Sequence, residues 1–211
     1  TYLNLKNNQP ELQEFIDRNS NNELIKEKMD KPMRSAFEYD AVRFSYKVFC
    51  MLDAAEKCNT DVLVFIDADT VTYKKIPIEW LEHIAPADKF TTFLGRPKKG
   101  FSETGFITFN LALPESERFF LRWREYYRKD LWKNLKGFTD SFTYDAARLD
   151  ATDRSLDNDL NDGRYLGYRG SKHPFVNSEL GDYMDHLKGD RKDIQSSVAD
   201  MKVQRKDDHW K

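Results

Sequence analysis

The sequence has few cysteines, no long apolar run and no large excess of charge of either sign. Its two cysteines, Cys50 and Cys58, form neither a disulfide framework nor a zinc-ligand pattern, and we interpret them as thiols in a reducing compartment. The longest apolar stretch, Val62–Ile66, is far shorter than the roughly 20 residues that span a bilayer. We therefore expect no integral membrane segment and a cytoplasmic location.

The net charge of -2 lacks the basic footprint of a general nucleic-acid binder, so we expect no nucleic-acid partner. Hydrophobic residues make up 39% and aromatic residues 14% of the 211 residues, which is enough to bury a core. No repeat or low-complexity segment is visible. We predict a single globular domain over residues 1–192, followed by a charged tail over residues 193–211 that is solvated or partly disordered.

Apolar periodicity predicts helices over residues 10–18, 35–57, 114–131 and 140–149, and strands over residues 61–66, 90–95 and 105–110. This order is typical of the α/β class. The strand over residues 61–66 shows no alternation, which is typical of a strand covered on both faces in a parallel sheet. The short separation of the other two strands favours an antiparallel pair, and residues 150–170 are predicted to be looped.

Two aspartates follow the most hydrophobic predicted strand. Asp67 and Asp69 are two residues apart, so both carboxylates can point to one place beyond the strand's carboxyl end, where ligands bind in open α/β sheets. A hard divalent cation that also binds substrate phosphates relieves their mutual repulsion. The pair therefore indicates a site for Mn²⁺ or Mg²⁺, although aspartates after strands also serve as caps and turn residues.

Two enzyme classes share this pattern. Asp67-Ala-Asp69-Thr-Val71 resembles the nucleophile motif of haloacid dehalogenase-like, Mg²⁺-dependent phosphatases, which would make Asp67 the nucleophile. Those enzymes normally open with this strand, whereas about a third of this chain precedes it. Their later acidic motif has one candidate here, Gly181-Asp182-Tyr-Met-Asp185, which is one residue short.

The segment His186-Leu-Lys-Gly189-Asp-Arg-Lys192 favours the other class. It resembles the His-x-x-Gly-x-x-Lys motif of glycogenin-like and bacterial galactosyltransferase-like enzymes, which are retaining, nucleotide-sugar-dependent glycosyltransferases of the GT-A fold. The resemblance implies that His186 is the third metal ligand and that Gly189 and Lys192 bind the donor diphosphate. Their chemistry agrees, since imidazole ligates metals, glycine permits close approach and an ammonium stabilises phosphate charge.

Other segments resemble the same family. Arg43 and Lys47 lie one turn apart on a predicted helix, at a position that contacts the donor nucleotide or phosphates in many glycosyltransferases; two solvated basic residues are the alternative. The segment Ser102–Phe106, which contains Glu103 and Gly105, resembles the segment that admits the donor sugar and binds its hydroxyls in these enzymes. The segment Phe138–Phe142 resembles the family's acidic segment beside the anomeric carbon, with Asp140 as the acidic residue and Ser141 in place of the usual glutamine. Cap or turn roles remain open for Glu103 and Asp140.

The resemblance implies a GT-A-like, mixed but mainly parallel sheet flanked by helices. It also implies a hexosyltransferase that moves a sugar from a nucleoside diphosphate donor, with UDP expected, to a saccharide or other hydroxyl acceptor. Asp67 would bind the metal or the donor ribose, and Asp140 or Glu103 would act at the sugar. Retention is favoured over inversion. We expect the first strand-helix unit of the GT-A pattern to be incomplete in these residues, so a non-catalytic domain is a further alternative.

Overall fold

The computed structural model describes residues 4–30, 36–96, 100–161 and 173–210. These residues form a mixed α/β structure, which confirms the predicted class. In chain order, the helices and strands are α1 (Leu5–Asn8), α2 (Pro10–Asn19), α3 (Glu23–Met29), α4 (Ala41–Lys57), β1 (Val62–Ile66), β2 (Thr70–Thr72), α5 (Ile78–Ile84), β3 (Thr91–Leu94), β4 (Glu103–Asn110), α6 (Glu115–Arg128), α7 (Asp140–Ala151), β5 (Asp157–Asp159), α8 (Pro174–Asn177), β6 (Met184–His186) and α9 (Arg191–Ile194).

The chain divides into two compact units, each built from two segments. The first, here called the helical unit, comprises Thr1–Leu63 and Leu111–Asp153. The second, here called the strand unit, comprises Val64–Asn110 and Arg154–Lys211. The single domain expected over residues 1–192 stays a prediction.

The helical unit is held together by the apolar faces of α2, α4, α6 and α7. The aromatic stripe predicted on α6 is buried, with Phe119 and Trp123 inaccessible to solvent, and the Trp123 indole donates to the Thr143 hydroxyl at 2.9 Å. Helix α4 begins at Ala41 because the Asp40 side chain accepts a hydrogen bond from the Arg43 N–H at 3.0 Å and caps the helix. The predicted start at Ser35 lies outside the described residues.

The main sheet of the described residues has the strand order β1-β4-β3-β5. Strands β3 and β4 pair antiparallel, with Thr91 opposite Phe109, as predicted. Strands β3 and β5 pair parallel. The Asp67 N–H donates to the Gly105 carbonyl and the Leu111 N–H donates to the Asp61 carbonyl, so β1 and β4 also run in opposite directions.

The prediction of a mainly parallel sheet is therefore wrong for the described strands, because β4 runs against both of its neighbours. The physical reason is the short connection between β3 and β4, since a parallel connection needs a crossover of a dozen or more residues. Strand β5 was missed because its sequence, Asp-Asn-Asp, carries no apolar pattern. Residues 162–170 of the predicted loop lie outside the described residues.

Strand β1 matches its predicted position but not its predicted burial. Val64 and Ile66 are each 38% exposed. Strand β1 is a terminal strand of the sheet order within the described residues. The continuous apolar run therefore reflects strand propensity and not two covered faces.

The core of the strand unit is a cluster of nine buried side chains: Ile84, Leu94, Phe106, Leu160, Phe175, Val176, Leu180, Met184 and Trp210. Trp210 comes from the segment predicted to be a solvated tail, and Ser197 of that segment is also buried. No helix within the described ranges is long and apolar enough to cross a membrane.

Candidate metal centre

A two-stranded ribbon in the strand unit brings the aspartate pair to the histidine motif. Strand β2 pairs antiparallel with β6, and Thr70 lies opposite His186. The Thr70 N–H donates to the Asp67 carbonyl at 3.0 Å, which closes a turn between β1 and β2. The Leu187 N–H donates to the Asp69 carbonyl at 2.8 Å. These bonds place both aspartates and His186 at the same end of the ribbon.

The three side chains form one ligand group. One ligand atom from each of Asp67, Asp69 and His186 lies within 4.8 Å of the others. His186 Nε2 is 3.0 Å from Asp69 Oδ1 and 3.6 Å from Asp67 Oδ2. His186 is almost fully buried, whereas the two aspartate side chains are 24% and 26% exposed. The predicted convergence of the three residues is thus confirmed, and the group is open to solvent on its carboxylate side.

The spacing of these atoms fits a divalent cation. Two ligands at right angles around an ion, with bonds of about 2.1 Å, lie about 3.0 Å apart. His186 Nε2 and Asp69 Oδ1 are also 3.0 Å apart, and in the structure they share a hydrogen bond that an ion between them would replace. Two carboxylates and one imidazole leave further coordination positions for water or for phosphate oxygens. The group can therefore hold a metal ion through side chains that are already close together.

Gly105 provides the space for the His186 ring. A Cβ atom built on Gly105 would lie 2.6 Å from His186 Cε1 and 2.8 Å from His186 Nδ1. It would also lie 3.4 Å from Asp67 Oδ2. Because real Cβ atoms do not approach other atoms so closely, a larger residue at position 105 would displace the histidine. The sequence assigned Gly105 to the donor sugar, whereas in the structure it contacts two candidate metal ligands.

Lys192 lies beside the same group. Its Nζ is 3.0 Å from Asp69 Oδ2, and its side chain is 56% exposed. Burial alone would raise the pKa of Asp69, but the hydrogen bond from Lys192 and the nearby charges of His186 and Lys192 outweigh that effect and lower it. Asp69 is therefore held in the ionised form that a cation requires.

Gly189 begins the turn that leads to Lys192. Its φ is 65°, in the left-handed region that glycine adopts without strain.

Glu103 occupies a different environment from the one expected of a sugar-binding carboxylate. Its side chain is 4% exposed and forms an ion pair with Arg96. Lys188 Nζ lies 3.3 Å from Glu103 Oε1. Because two cations already neutralise this carboxylate, its observed contacts are those of a buried charge cluster. Arg96 and Lys188 were not identified from the sequence, since Arg96 lies outside the quoted motifs and Lys188 occupies an unspecified position of the His-x-x-Gly-x-x-Lys pattern.

The other predicted residues belong to the helical unit. Lys47 Nζ is 2.9 Å from Asp140 Oδ2, and the Asp140 side chain is 4% exposed. The structure thus brings together one predicted donor-binding residue and one predicted catalytic residue as a buried ion pair. Arg43 is exposed and lies over the Phe37 ring, 4.9 Å from its centre. Although Arg43 and Lys47 are one turn apart on α4, they have different partners.

Comparisons with known proteins add no further constraint. No protein-family model, curated protein or solved structure matches this chain. What the site can bind therefore follows from its own residues and their contacts.

The acidic motif of the phosphatase alternative lies elsewhere in the strand unit. Asp182 forms an ion pair with Arg205. Asp185 is fully buried, accepts a hydrogen bond from the Ser197 N–H at 3.0 Å and lies 3.0 Å from His209 Nε2. The ligand group identified among the described residues contains Asp67, Asp69 and His186. Asp182 thus pairs with Arg205, and Asp185 with the Ser197 N–H and His209.

Proposed function

We propose that this protein is a metal-dependent glycosyltransferase of GT-A-like fold that transfers a sugar from a nucleoside diphosphate donor, with UDP expected, to a hydroxyl acceptor. The observation that carries the proposal is the convergence of Asp67, Asp69 and His186 on one point, with Lys192 beside it. An acidic and imidazole ligand group next to a lysine suits a cation together with the diphosphate that it binds. We further propose that the protein works in the cytoplasm.

In this proposal Asp67, Asp69 and His186 hold Mn²⁺ or Mg²⁺, and when bound the ion supplies Lewis-acid stabilisation of the leaving diphosphate. The open carboxylate side of the group leaves room for the diphosphate oxygens. The Lys192 side chain is 56% exposed, so a phosphate can approach its ammonium group beside Asp69, and the ammonium would offset the phosphate charge.

Arg43 stays a predicted contact of the donor nucleotide, and its exposure leaves the guanidinium accessible. Lys47 is engaged with Asp140, so we assign it the role of fixing that carboxylate. Asp140 and Glu103 remain the predicted acidic residues at the sugar. In the structure each of these carboxylates is buried and paired with a cation, Asp140 with Lys47 and Glu103 with Arg96, so their roles at the sugar stay predictions from the resemblance.

Calorimetric titration of UDP in the presence and absence of Mn²⁺ tests the proposal. We expect UDP binding that requires the ion, and a loss of Mn²⁺ affinity of more than about tenfold in Asp69→Asn because a ligand charge is removed. Asp88→Asn is the matched control, since the Asp88 side chain is 78% exposed and forms only a long ion pair with Lys89, at 4.0 Å, among the described contacts. Metal-independent UDP binding would contradict the proposed site.

A screen of donor hydrolysis across nucleotide sugars with Mn²⁺ identifies the sugar. Release of UDP from one donor, lost in Asp69→Asn and kept in Asp88→Asn, supports the transferase. Hydrolysis of a generic phosphoester that depends on Asp67 would instead indicate a phosphatase. Metal and UDP binding without turnover of any donor would indicate a non-catalytic domain.

A further inference from the structure

The C-terminal segment, residues 197–210, packs against the ribbon that carries the candidate metal ligands. Ser197 begins this contact and is fully buried. Its N–H donates to Asp185 Oδ2 at 3.0 Å, and its hydroxyl donates to the His186 carbonyl at 3.3 Å. The segment therefore bonds directly to the backbone of a candidate metal ligand.

The last residues of the segment contact the same ribbon a second time. His209 Nε2 lies 3.0 Å from Asp185 Oδ2. The His209 ring stacks on Tyr73 with ring centres 4.3 Å apart and planes 2° from parallel. The Trp210 indole donates to the Tyr73 hydroxyl at 2.7 Å. Tyr73 directly follows β2, so His209 and Trp210 contact both strands of the ribbon.

Bonds along the rest of the segment fix it to the strand unit. The buried Arg205 guanidinium donates to the carbonyls of Val176 and Ser178 at 3.0 and 2.6 Å. The Lys202 N–H donates to the Asn177 side chain at 2.5 Å. Each of these bonds joins the segment to the stretch around α8. The segment is thus attached at several points between Ser197 and Trp210.

The position of Asp185 next to His186 connects these contacts to the metal centre. Successive residues of a strand point to opposite faces, so His186 faces the aspartate pair while Asp185 faces the C-terminal segment. On the partner strand, Asp69 lies just before β2 and Tyr73 just after it. The segment therefore contacts both strands of the ribbon, through Asp185 on β6 and through Tyr73 at the end of β2.

We propose that His209 and Trp210 are positioning residues for the metal centre. Through Asp185 and Tyr73 they fix the ribbon so that His186 and Asp69 reach one ion without rearrangement. Metal affinity falls when groups that orient the ligands are removed, typically by 10- to 100-fold. This inference rests on the metal site of the proposed function, but it does not depend on which donor or acceptor is used.

The test is the dissociation constant for Mn²⁺, measured by calorimetry on the full chain. We expect His209→Ala to weaken Mn²⁺ binding about tenfold. His209→Gln keeps a donor for Asp185 and should recover most of the affinity. His83→Ala is the matched control, because His83 also pairs with a carboxylate, Glu179, at 3.0 Å but is 60% exposed.

If His209→Ala does not fold, Tyr73→Phe and amide hydrogen exchange of the wild type test the same positioning role. Tyr73→Phe removes only the hydroxyl, which accepts the Trp210 N–H and donates to the Gly181 carbonyl, and should weaken Mn²⁺ binding at least about threefold. Coupling between two sites is reciprocal, so Mn²⁺ should slow amide hydrogen exchange over residues 197–210 of the wild type and not of Asp69→Asn. A purely structural role would leave that exchange unaffected by Mn²⁺.

The outcomes separate this inference from the proposed function. Wild-type affinity in folded His209→Ala and Tyr73→Phe, or exchange that Mn²⁺ does not change, would overturn the positioning role while leaving the metal site intact. A wild-type chain that does not bind Mn²⁺ would overturn both. Weaker binding in His83→Ala equal to that in His209→Ala would also overturn the role, since the effect would not be specific to the ribbon.

Discussion

Replacing Gly105 with alanine is the sharpest perturbation of the candidate metal centre that leaves all three ligands in place. Gly105 is buried in β4, and a strand residue with ordinary backbone angles gains from alanine by losing chain entropy in the unfolded state. The substitution would therefore be neutral or stabilising if the site were open. The His186 ring prevents that outcome.

The structure gives the size of the conflict. The new Cβ atom would lie 2.6 Å from His186 Cε1, whereas a separation of 3.4 Å is the lower end of ordinary contact. The ring must therefore move by about 0.8 Å, the difference between these distances, if β4 stays fixed. Metal-ligand distances tolerate only about 0.2 Å. We expect Gly105→Ala to lower Mn²⁺ affinity more than about tenfold, and overpacking to lower the free energy of unfolding by about 1 to 3 kcal/mol.

Calorimetry with Mn²⁺ and urea denaturation measure the two effects, and a double-mutant cycle with His186→Ala isolates the clash. Once the imidazole is removed, Gly105→Ala should cost nothing in stability, because the atoms at 2.6 and 2.8 Å belong to that ring. Wild-type Mn²⁺ affinity in Gly105→Ala would refute the reasoning. An equal loss of stability in the His186→Ala background would also refute it.

Three further predictions concern stability. Asp140→Asn removes the charge that pairs with Lys47 and should lower the free energy of unfolding, measured in urea, by about 1 to 3 kcal/mol. Lys47→Met in the same background should recover part of that loss. No recovery would contradict the pairing. Gly189→Ala should lower the free energy of unfolding by about 1 kcal/mol because φ is 65°. Gly189→Asn should lower it by less, since asparagine tolerates that conformation better. Equal losses for the two variants in thermal denaturation would argue against the backbone origin. Burial and the hydrogen bond to Asp150 raise the pKa of Tyr126 to about 12, whereas in the unfolded chain it is about 10. Between pH 10 and 12 the folded state therefore keeps a proton that the unfolded chain releases, so the free energy of unfolding should fall as the pH rises. Tyr126→Phe should flatten that fall, and an unchanged slope would show that another group causes it.

Local patterns in the sequence predicted much of the candidate site. The Asp67 and Asp69 pair could be placed because the apolar run before it fixes a strand, and a strand's end directs alternate side chains to one side. The resemblance of the segment from His186 to Lys192 to a known motif supplied the third ligand, and the structure places His186 Nε2 within 3.6 Å of both carboxylates.

Residues whose environment is set by distant partners were predicted poorly. Glu103 was assigned to the sugar, but Lys188, 85 positions away, pairs with it together with Arg96. The C-terminal segment was predicted to be solvated because it is rich in charge, yet Trp210 is buried against Tyr73, 137 positions earlier. Neither partner is visible to a rule that considers neighbouring residues.

The sequence by itself determined the α/β class, the long helices and the aspartate pair, because these depend on periodicity and on residue chemistry over a few positions. The resemblance to a known motif added His186. Only the tertiary structure decided that β4 runs against its neighbours, that Gly105 makes room for His186, and that the C-terminal segment contacts both strands of the ribbon. Those features depend on contacts across the fold, where shape and hydrogen bonding select partners that no local pattern specifies.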